Sequence, residues 1–336
     1  MNIFRRKRKV LVFLFTFLMG TLLGFSLSQM MLQSCWHSDD NAGHPTSMAR
    51  YAEHLTVQTG INNPADEDPP LATKLYKETK VLCMILTSPK SHQSRALHVK
   101  RTWGARCNKL LFMSTKTDKD LPIVALNVTE GYWSLWGKTR ESFRYVYERY
   151  FRDYDWFLKA DDDTYVVVEN LRAFLYAYTA RAPVYFGKKL RNKQTMYMSG
   201  GAGYVLSKAA LERFVTKAYR NGSICKNTKT GFEDLELGRC LRNVGVVRGS
   251  SLNKQGVQLF QPFPPTRRDI SWHSRKFCCP ELVISFHYSK PSDFYVLDYA
   301  IYKLWPFGLP RRTEELPEKK QMLDILRKWR EDDDRM

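Results

Sequence analysis

An uninterrupted apolar segment near the N-terminus divides the chain before any other pattern is considered. Residues 10–32 contain no charged side chain, and the basic residues 5–9 come immediately before them. As a helix, the segment would reach roughly 30 Å, the thickness of the hydrocarbon core of a bilayer. Because basic residues flank membrane helices on the cytosolic side, we expect residues 1–9 to form a cytosolic tail and the chain beyond residue 32 to be luminal.

A cleaved signal peptide is the alternative for the same segment. The apolar region of a signal peptide spans about 7–15 residues and is followed by small residues at the cleavage site. Residues 10–32 form a longer stretch, and residues 29–33 (QMMLQ) make a poor cleavage site. We therefore predict an uncleaved signal-anchor, a single transmembrane helix with type II topology.

The remainder of the chain divides into a stem and a folded domain. Residues 33–78 show no sustained hydrophobic periodicity and include an acidic, proline-bearing run at 64–70, which is typical of a flexible stem. Ordered patterning starts at Val81, so residues 79–336 are predicted to form one luminal domain. Hydrophobic residues make up 43% of the chain, which is ample material for a packed core.

Short apolar runs alternate with helical patterns in this domain. Strands are predicted at 81–87, 110–113, 123–126 and 156–158, with helices at 91–103 and 138–151. This alternation indicates an α/β fold with a mixed, mostly parallel sheet. Ligands of such sheets bind at the carboxyl ends of the strands, so residues that directly follow a strand are candidates for a site.

The formal net charge of +19 favours anionic ligands. Nucleic acid is not expected as a partner, because the sequence has no zinc-finger, helix-turn-helix or RNP-type pattern. A nucleotide-sugar diphosphate is the other candidate ligand. A basic surface that only maintains solubility is the alternative interpretation.

The cysteines predict disulfides, because a luminal domain folds in an oxidising compartment. Cys35 lies in the stem, and the others are Cys83, Cys107, Cys225, Cys240, Cys278 and Cys279. Pairing of nearest neighbours suggests Cys83–Cys107 and Cys225–Cys240, although sequence alone does not fix the connectivity. Cys278 and Cys279 would form either a vicinal disulfide or two separate thiols. A zinc site is the competing interpretation, and the absence of a CxxC spacing disfavours it.

Two triplets match the acceptor pattern for N-glycosylation, at Asn127 and at Asn221. Asn127 ends a predicted strand, where a glycan has little room. Asn221, which stands beside Gly222, is therefore the predicted site of modification.

The sharpest chemical signal is the acidic triplet Asp161–Asp163, which follows the predicted strand 156–158. Carboxylates at positions i and i+2 of an extended chain face the same side, so Asp161 and Asp163 are expected to act together. Carboxylate oxygens are hard ligands for Mn²⁺ or Mg²⁺, and a metal there would stabilise a diphosphate leaving group. A solvated acidic turn or a helix cap is the alternative for the triplet alone.

Two further places carry candidate chemistry. Glu233 and Asp234 begin a predicted helix, and one of these carboxylates could be a general base that deprotonates an acceptor hydroxyl. The alternative is that the helix macrodipole favours acidic residues at this end. His287 follows the apolar run 282–284 and could ligate a metal, although a lone histidine more often has a structural role.

Glycine and basic residues complete the candidate site. Gly200, Gly201 and Gly203 permit close approach of the backbone to a ligand. Lys138 and Arg140, at the start of a predicted helix, could reach phosphate oxygens.

Taken in order, these motifs resemble the core 1 β1,3-galactosyltransferase family of β1,3-glycosyltransferases, which have GT-A architecture. The resemblance runs from Val81 to about Pro310, and the N-terminal anchor and stem match the layout of that family. The segments that carry it are LTSPKSH (86–92), VKRTWG (99–104), LWGKTRESFRYVY (135–147), WFLKADDDTYV (156–166), MSGGAGYVLS (198–207), GFEDLELGRCL (231–241) and CCPELVISFHY (278–288).

The resemblance implies a reaction and a set of binding residues. The reaction is an inverting transfer of galactose from UDP-galactose to O3 of GalNAc on serine or threonine of glycoproteins. Mn²⁺ would be held by Asp161, Asp163 and His287. The donor-binding residues would be Thr87, Arg101, Glu130, Gly131, Lys138, Asp161 and His287.

The resemblance also implies an acceptor side and a location. Asp234 would be the base, and Trp272 and Tyr288 would contact the acceptor, since aromatic rings suit the apolar face of a sugar. The segment 269–277 is shorter, and poorer in Trp and Tyr, than its counterpart in the family, where this region contributes to acceptor recognition. The implied location is the Golgi membrane, with the catalytic domain luminal.

Two alternatives remain at this stage. The family contains a non-catalytic, chaperone-like relative of the synthase, which lacks the complete acidic metal motif. A transferase of the same fold could also use another donor, such as UDP-GlcNAc. A homodimer linked through Cys35 is an arrangement that the sequence leaves open.

Overall fold

The computed structural model describes residues 70–193, 195–265, 279–307 and 315–335. These residues belong to one unit, residues 67–336. The predicted tail, the anchor, most of the stem, Trp272 and Cys278 lie outside the described residues. Within those four ranges, no helix combines the length and the apolarity that a bilayer crossing requires.

The secondary structure alternates as the sequence predicts. The strands are β1 (Val81–Leu86), β2 (Lys109–Ser114), β3 (Ile123–Ala125), β4 (Trp156–Asp161), β5 (Tyr165–Val166), β6 (Val184–Gly187), β7 (Lys189–Asn192), β8 (Thr195–Met198), β9 (Tyr204–Ser207), β10 (Val247–Arg248), β11 (Phe260–Gln261) and β12 (Ser285–Phe286). The α-helices are α1 (Pro70–Glu78), α2 (Leu97–Arg101), α3 (Leu135–Tyr150), α4 (Val168–Tyr176), α5 (Lys208–Arg213), α6 (Glu233–Asn243), α7 (Pro291–Tyr302) and α8 (Met322–Arg335).

A seven-stranded sheet with the order β10-β6-β9-β4-β1-β2-β3 forms the centre of the domain. Neighbouring strands are parallel except at β9, which runs antiparallel to both β4 and β6. The predicted mixed, mostly parallel α/β sheet is confirmed, and it fits a GT-A-type transferase. Leu86 pairs with Asp161, so the carboxyl ends of β1 and β4 lie side by side.

Both faces of the sheet are covered, because successive side chains of a strand point to opposite faces. Val81, Cys83 and Ile85 of β1 pack into one core with α2, α4, α7 and α8. The intervening residues Leu82, Met84 and Leu86 pack into a second core with α3, α5 and α6. This double burial explains why β1 reads as a continuous apolar run and not as an alternating one.

Several predicted boundaries differ from the structure. The strand predicted at 156–158 continues to Asp161, and the helix predicted from Lys138 begins at Leu135. The helical character predicted at 91–103 is present, but it is divided among short helical segments, with a π-helical segment at His92–Ala96 before α2.

The first helix of the unit lies within the predicted stem. Leu75 of α1 is buried, and the carbonyl of Tyr76 accepts a hydrogen bond from Asn108 Nδ2 at 2.9 Å. The folded domain therefore begins at the start of α1 and not at residue 79, where the sequence predicts the end of the stem. This nine-residue helix was overlooked because it is too short to show a sustained periodicity.

Two of the predicted disulfides are present. Cys83 in β1 is bonded to Cys107, just before β2, and Cys225 is bonded to Cys240 in α6. Cys279 is also disulfide-bonded. The second bond closes the loop that leads into α6, the helix that begins with Glu233 and Asp234.

Both candidate glycosylation sites are exposed. Asn127 lies beyond the last residue of β3 and not within the strand, so the expected lack of room for a glycan does not apply. The side-chain oxygen of Asn221 accepts hydrogen bonds from the amide and the hydroxyl of Ser223, at 3.1 and 2.9 Å.

We expect the Cys225–Cys240 bond to stabilise the domain by restricting the unfolded chain. Replacing both cysteines by alanine should lower the free energy of unfolding by about 3 kcal/mol, given a sequence separation of 15. Denaturant unfolding of the variant and of the wild type measures the difference. Non-reducing mass spectrometry of the wild type should first detect the cross-linked peptides. Free thiols at these positions, or an unchanged unfolding midpoint, would contradict the prediction.

Candidate active site

A cleft of ≈ 660 Å³ opens where β1 and β4 end. The predicted site residues that line it are Thr87, Glu130, Gly131, Lys138, Asp161, Asp163, Asp234, His287 and Tyr288. Arg101 is not among the described lining residues, because it is exposed at the end of α2. The structure therefore gives no support to Arg101 as a donor contact.

Asp161, Asp163 and His287 form a compact group of possible metal ligands. One ligand atom from each of the three side chains lies within 4.8 Å of the others. The histidine reaches the acidic triplet through strand pairing, because β12 runs antiparallel to β5 and Ser289 N donates to Asp163 O at 2.9 Å. Two carboxylates and an imidazole are ligands that suit Mn²⁺, so these residues fit the metal that the resemblance implies.

Close packing of backbone against the imidazole fixes His287, the third possible ligand. A Cβ atom added to Gly201 would lie 2.1 Å from Cε1 of His287. Thr164 Oγ1 donates to the carbonyl of Gly201 at 2.8 Å, and Ser285 Oγ donates to the carbonyl of Ala202 at 2.6 Å. Glycine is required at this position because the backbone is held directly against the ring.

Asp162 and Asp163 of the acidic triplet have different partners and opposite pKa shifts. Asp162 is not part of the group of possible ligands and accepts a hydrogen bond from Thr87 Oγ1 at 2.8 Å. Burial raises the pKa of Asp162 to about 6, against the opposing effect of that hydrogen bond. Burial also acts to raise the pKa of Asp163, but His287 and the nearby charge of Arg95 outweigh it and hold that pKa below its ordinary value.

A buried lysine joins the metal-ligand group to the start of α6. Lys159 is 2% exposed, and its Nζ lies 2.8 Å from Asp161 Oδ1 and 3.4 Å from Glu233 Oε2. Burial acts to lower the pKa of Lys159, but the two carboxylates outweigh it and raise the pKa, so the ammonium stays protonated. Burial raises the pKa of Glu233, which also accepts a hydrogen bond from the Tyr204 hydroxyl.

Asp234 is a half-buried carboxylate at the first turn of α6, facing the cleft. Its Oδ2 accepts a hydrogen bond from the amide of Gly200 at 3.0 Å, and its Oδ1 accepts one from the amide of Leu235 at 2.9 Å. The carbonyl of Gly200 accepts a hydrogen bond from Lys159 Nζ at 3.2 Å. The candidate base and the metal-ligand group are thus connected through Gly200 and Lys159.

Lys138 of α3 also lines the cleft, where hydrogen bonds fix its ammonium group. Its Nζ donates to the carbonyl of Thr87 at 2.8 Å and to Glu130 Oε2 at 2.7 Å. Glu130 also accepts a hydrogen bond from Thr115 Oγ1 at 2.8 Å. Arg140 does not share this position, because it donates to Asn227 Oδ1 at 2.7 Å outside the cleft. The suggestion that Arg140 reaches phosphate oxygens is therefore corrected.

Sequence reasoning did not assign a role to Lys159 or Arg95. Lys159 carried a usable signal, since it stands two positions before Asp161 in an otherwise apolar strand and must face the same side. Nη1 of Arg95 lies 3.5 Å from Oδ1 of Asp162 and 3.6 Å from Oδ2 of Asp163. Its position follows from the π-helical segment, which no periodicity in the sequence predicts.

Comparisons with known proteins agree with the resemblance drawn from the motifs. Residues 76–253 match the Fringe-like family. A glycoprotein-N-acetylgalactosamine 3-beta-galactosyltransferase 1 from Xenopus laevis is 39% identical over 88% of this chain and 85% of its own length. Chondroitin sulfate synthase 3 from Homo sapiens is 28% identical over 48% of this chain and 20% of its own length. A beta-1,3-glucosyltransferase from Mus musculus is 26% identical over 53% of this chain and 36% of its own length.

We expect removal of the Lys159 ammonium to destabilise the domain. In Lys159→Met, the buried carboxylate of Glu233 and the partly exposed carboxylate of Asp161 lose their shared partner, so the free energy of unfolding should fall by about 3–5 kcal/mol. Adding Glu233→Gln should recover part of the loss, because one buried negative charge is removed. Denaturant unfolding provides the measurement, and the exposed Lys116→Met is the matched control. A Lys159→Met variant as stable as this control would contradict the prediction.

Proposed function

Since this chain belongs to the Fringe-like family, whose members are glycosyltransferases, we propose that it is a galactosyltransferase acting on glycoproteins. It transfers galactose from UDP-galactose, with inversion, to O3 of GalNAc linked to serine or threonine. The observation that carries the proposal is the juxtaposition of a metal-ligand group (Asp161, Asp163 and His287) and a separate carboxylate, Asp234, in one cleft. The name of the Xenopus laevis relative supports the choice of donor and acceptor.

The donor half of the reaction requires a stabilised diphosphate. Asp161, Asp163 and His287 would hold Mn²⁺, which supplies positive charge to the leaving group when bound. Lys138 adds a fixed ammonium, because its partners Thr87 and Glu130 hold it in one position. A fixed charge at the diphosphate costs no reorganisation as the transition state forms.

The acceptor half requires a base. Asp234 removes the proton of the GalNAc O3 hydroxyl as that oxygen bonds to the anomeric carbon of galactose. The bond between this carbon and the UDP oxygen breaks at the same time, and the electron pair leaves with UDP. The two backbone hydrogen bonds of Asp234 orient its carboxylate, so its geometry is set before the acceptor binds.

The proposed setting is the Golgi membrane. Residues 10–32 would anchor the chain as a single-pass type II protein, with a stem ahead of α1 and the catalytic domain in the lumen. The disulfides of the domain suit that oxidising compartment. GalNAc-bearing glycoproteins would be the substrates, and Cys35 would provide a link between two copies.

A direct assay tests the proposal. The purified protein should transfer galactose to a GalNAc-threonine peptide when UDP-galactose and Mn²⁺ are supplied, and chelation should abolish the transfer. Asp163→Ala is the matched variant, since it removes one metal ligand and should abolish Mn²⁺-dependent UDP binding in calorimetry. UDP-GlcNAc in a parallel reaction tests the other donor. A folded wild type that transfers neither sugar would refute the enzymatic proposal and favour the chaperone-like alternative.

Asp234→Asn separates catalysis from binding. Asparagine keeps the shape of the side chain but removes the basic oxygen, so kcat should fall by a factor on the order of 10²–10⁴. UDP affinity should stay close to the wild-type value, because the metal ligands are untouched. The melting temperature should fall only slightly, because the asparagine oxygen keeps one of the two backbone hydrogen bonds of Asp234. If Asp234 only supports its helix, the variant will melt earlier and turn over normally, which would rule out the base.

A further inference from the structure

Three exposed aromatic side chains form a continuous surface beside the cleft. This aromatic platform consists of Tyr132, Trp133 and Phe232, which are 68%, 59% and 49% exposed. The ring centroids of Tyr132 and Trp133 are 5.6 Å apart, and those of Trp133 and Phe232 are 5.3 Å apart, both edge to face. Exposed aromatic groups gathered in this way are typical of a binding surface.

Two of the three rings of the aromatic platform line the cleft that contains the candidate base. Tyr132 and Phe232 both line the cleft, and Phe232 is two residues before Asp234. Another part of the lining is also aromatic, since Tyr288 stacks on His287 with centroids 3.8 Å apart. The cleft that Asp234 faces is therefore lined by several aromatic groups.

Backbone hydrogen bonds hold the platform in place. Gly231 N donates to the carbonyl of Trp133 at 3.1 Å, which ties together the two segments that carry the three rings. Ser134 N donates to the carbonyl of Gly131 at 3.0 Å, and Gly131 has a φ of 123°, which only glycine adopts without strain. The rings are therefore presented on a pre-organised turn, which reduces the entropy lost when a ligand binds.

We propose that the aromatic platform binds the sugar ring of the acceptor, the GalNAc whose O3 is presented to Asp234. This inference rests on the proposed function and names a binding surface for it. The C–H face of a pyranose is apolar and packs well on an aromatic ring. The planar uracil base of the donor could stack on such a ring as well. The sugar is the favoured occupant because Phe232 lies two residues before Asp234, the carboxylate that would deprotonate the acceptor.

Trp133→Ala and Phe232→Ala in the full-length protein test the proposal. Each should raise the KM for a GalNAc-threonine peptide by about three- to ten-fold, the usual contribution of an aromatic contact, with little change in kcat. UDP affinity in calorimetry, and acceptor-independent hydrolysis of UDP-galactose, should match the wild type. Phe232→Tyr keeps an aromatic ring at this position and should have the wild-type KM. Phe307→Ala is the matched control, because Phe307 is a fully exposed ring outside the cleft lining.

A binding measurement keeps the inference separate from the proposed function. The GalNAc-threonine peptide should quench the fluorescence of the wild type, and Trp133→Phe should lose that part of the signal. The same peptide without GalNAc should quench neither. This result supports the platform even if the wild type shows no transfer, an outcome that would refute the proposed function alone.

Three results would overturn the inference. The first is an unchanged acceptor KM in both alanine variants, with no change in quenching. The second is a parallel loss of UDP affinity, which would assign the platform to the uracil base of the donor. The third is equal quenching by the unmodified peptide, which would assign it to the polypeptide and not to the sugar.

Discussion

The site depends on one buried ammonium group, that of Lys159 in β4. Its contacts with Asp161 and Glu233 join the end of a central strand to the start of α6, two elements that are far apart along the chain. Gly200 completes the connection, because its carbonyl accepts from Lys159 and its amide donates to Asp234. A charge network of this kind requires every partner, since a carboxylate left without its cation in a buried position is costly. Metal ligand and candidate base are therefore held in one geometry by the same few atoms.

Much of this arrangement was predictable from local sequence. Each strand that leads to the site is a short apolar run, and the carboxyl ends of adjacent strands meet at one edge of the sheet. That rule predicts a site at Asp161 and Asp163, because both follow a predicted buried strand. The nearest-neighbour rule likewise gave the pairing of Cys83 with Cys107, because residues that flank two adjacent strands come close in space.

What sequence reasoning missed depends on long-range packing or on irregular backbone. Arg95 was missed because it belongs to the π-helical segment before α2, which no periodicity in the sequence predicts. Arg140 is near the start of α3, where a basic side chain can reach phosphate oxygens, yet its guanidinium donates a hydrogen bond to Asn227 in a distant loop. The platform of Tyr132 and Phe232 arises only because two separate segments are tied together by backbone hydrogen bonds, and no local periodicity records that contact.

The Cys225–Cys240 bond has a consequence for how such a transferase can change over time. It closes a loop that contains Phe232 and ends in α6, while the sheet and the metal-ligand group lie on other segments. Replacing an exposed residue of this loop, such as Phe232, alters one wall of the cleft, whereas Glu233 in the same loop has to remain because it pairs with Lys159 of β4. Acceptor preference can therefore diverge among relatives through single substitutions inside a covalently closed loop. The same loop is where substitutions designed to change the acceptor should be made.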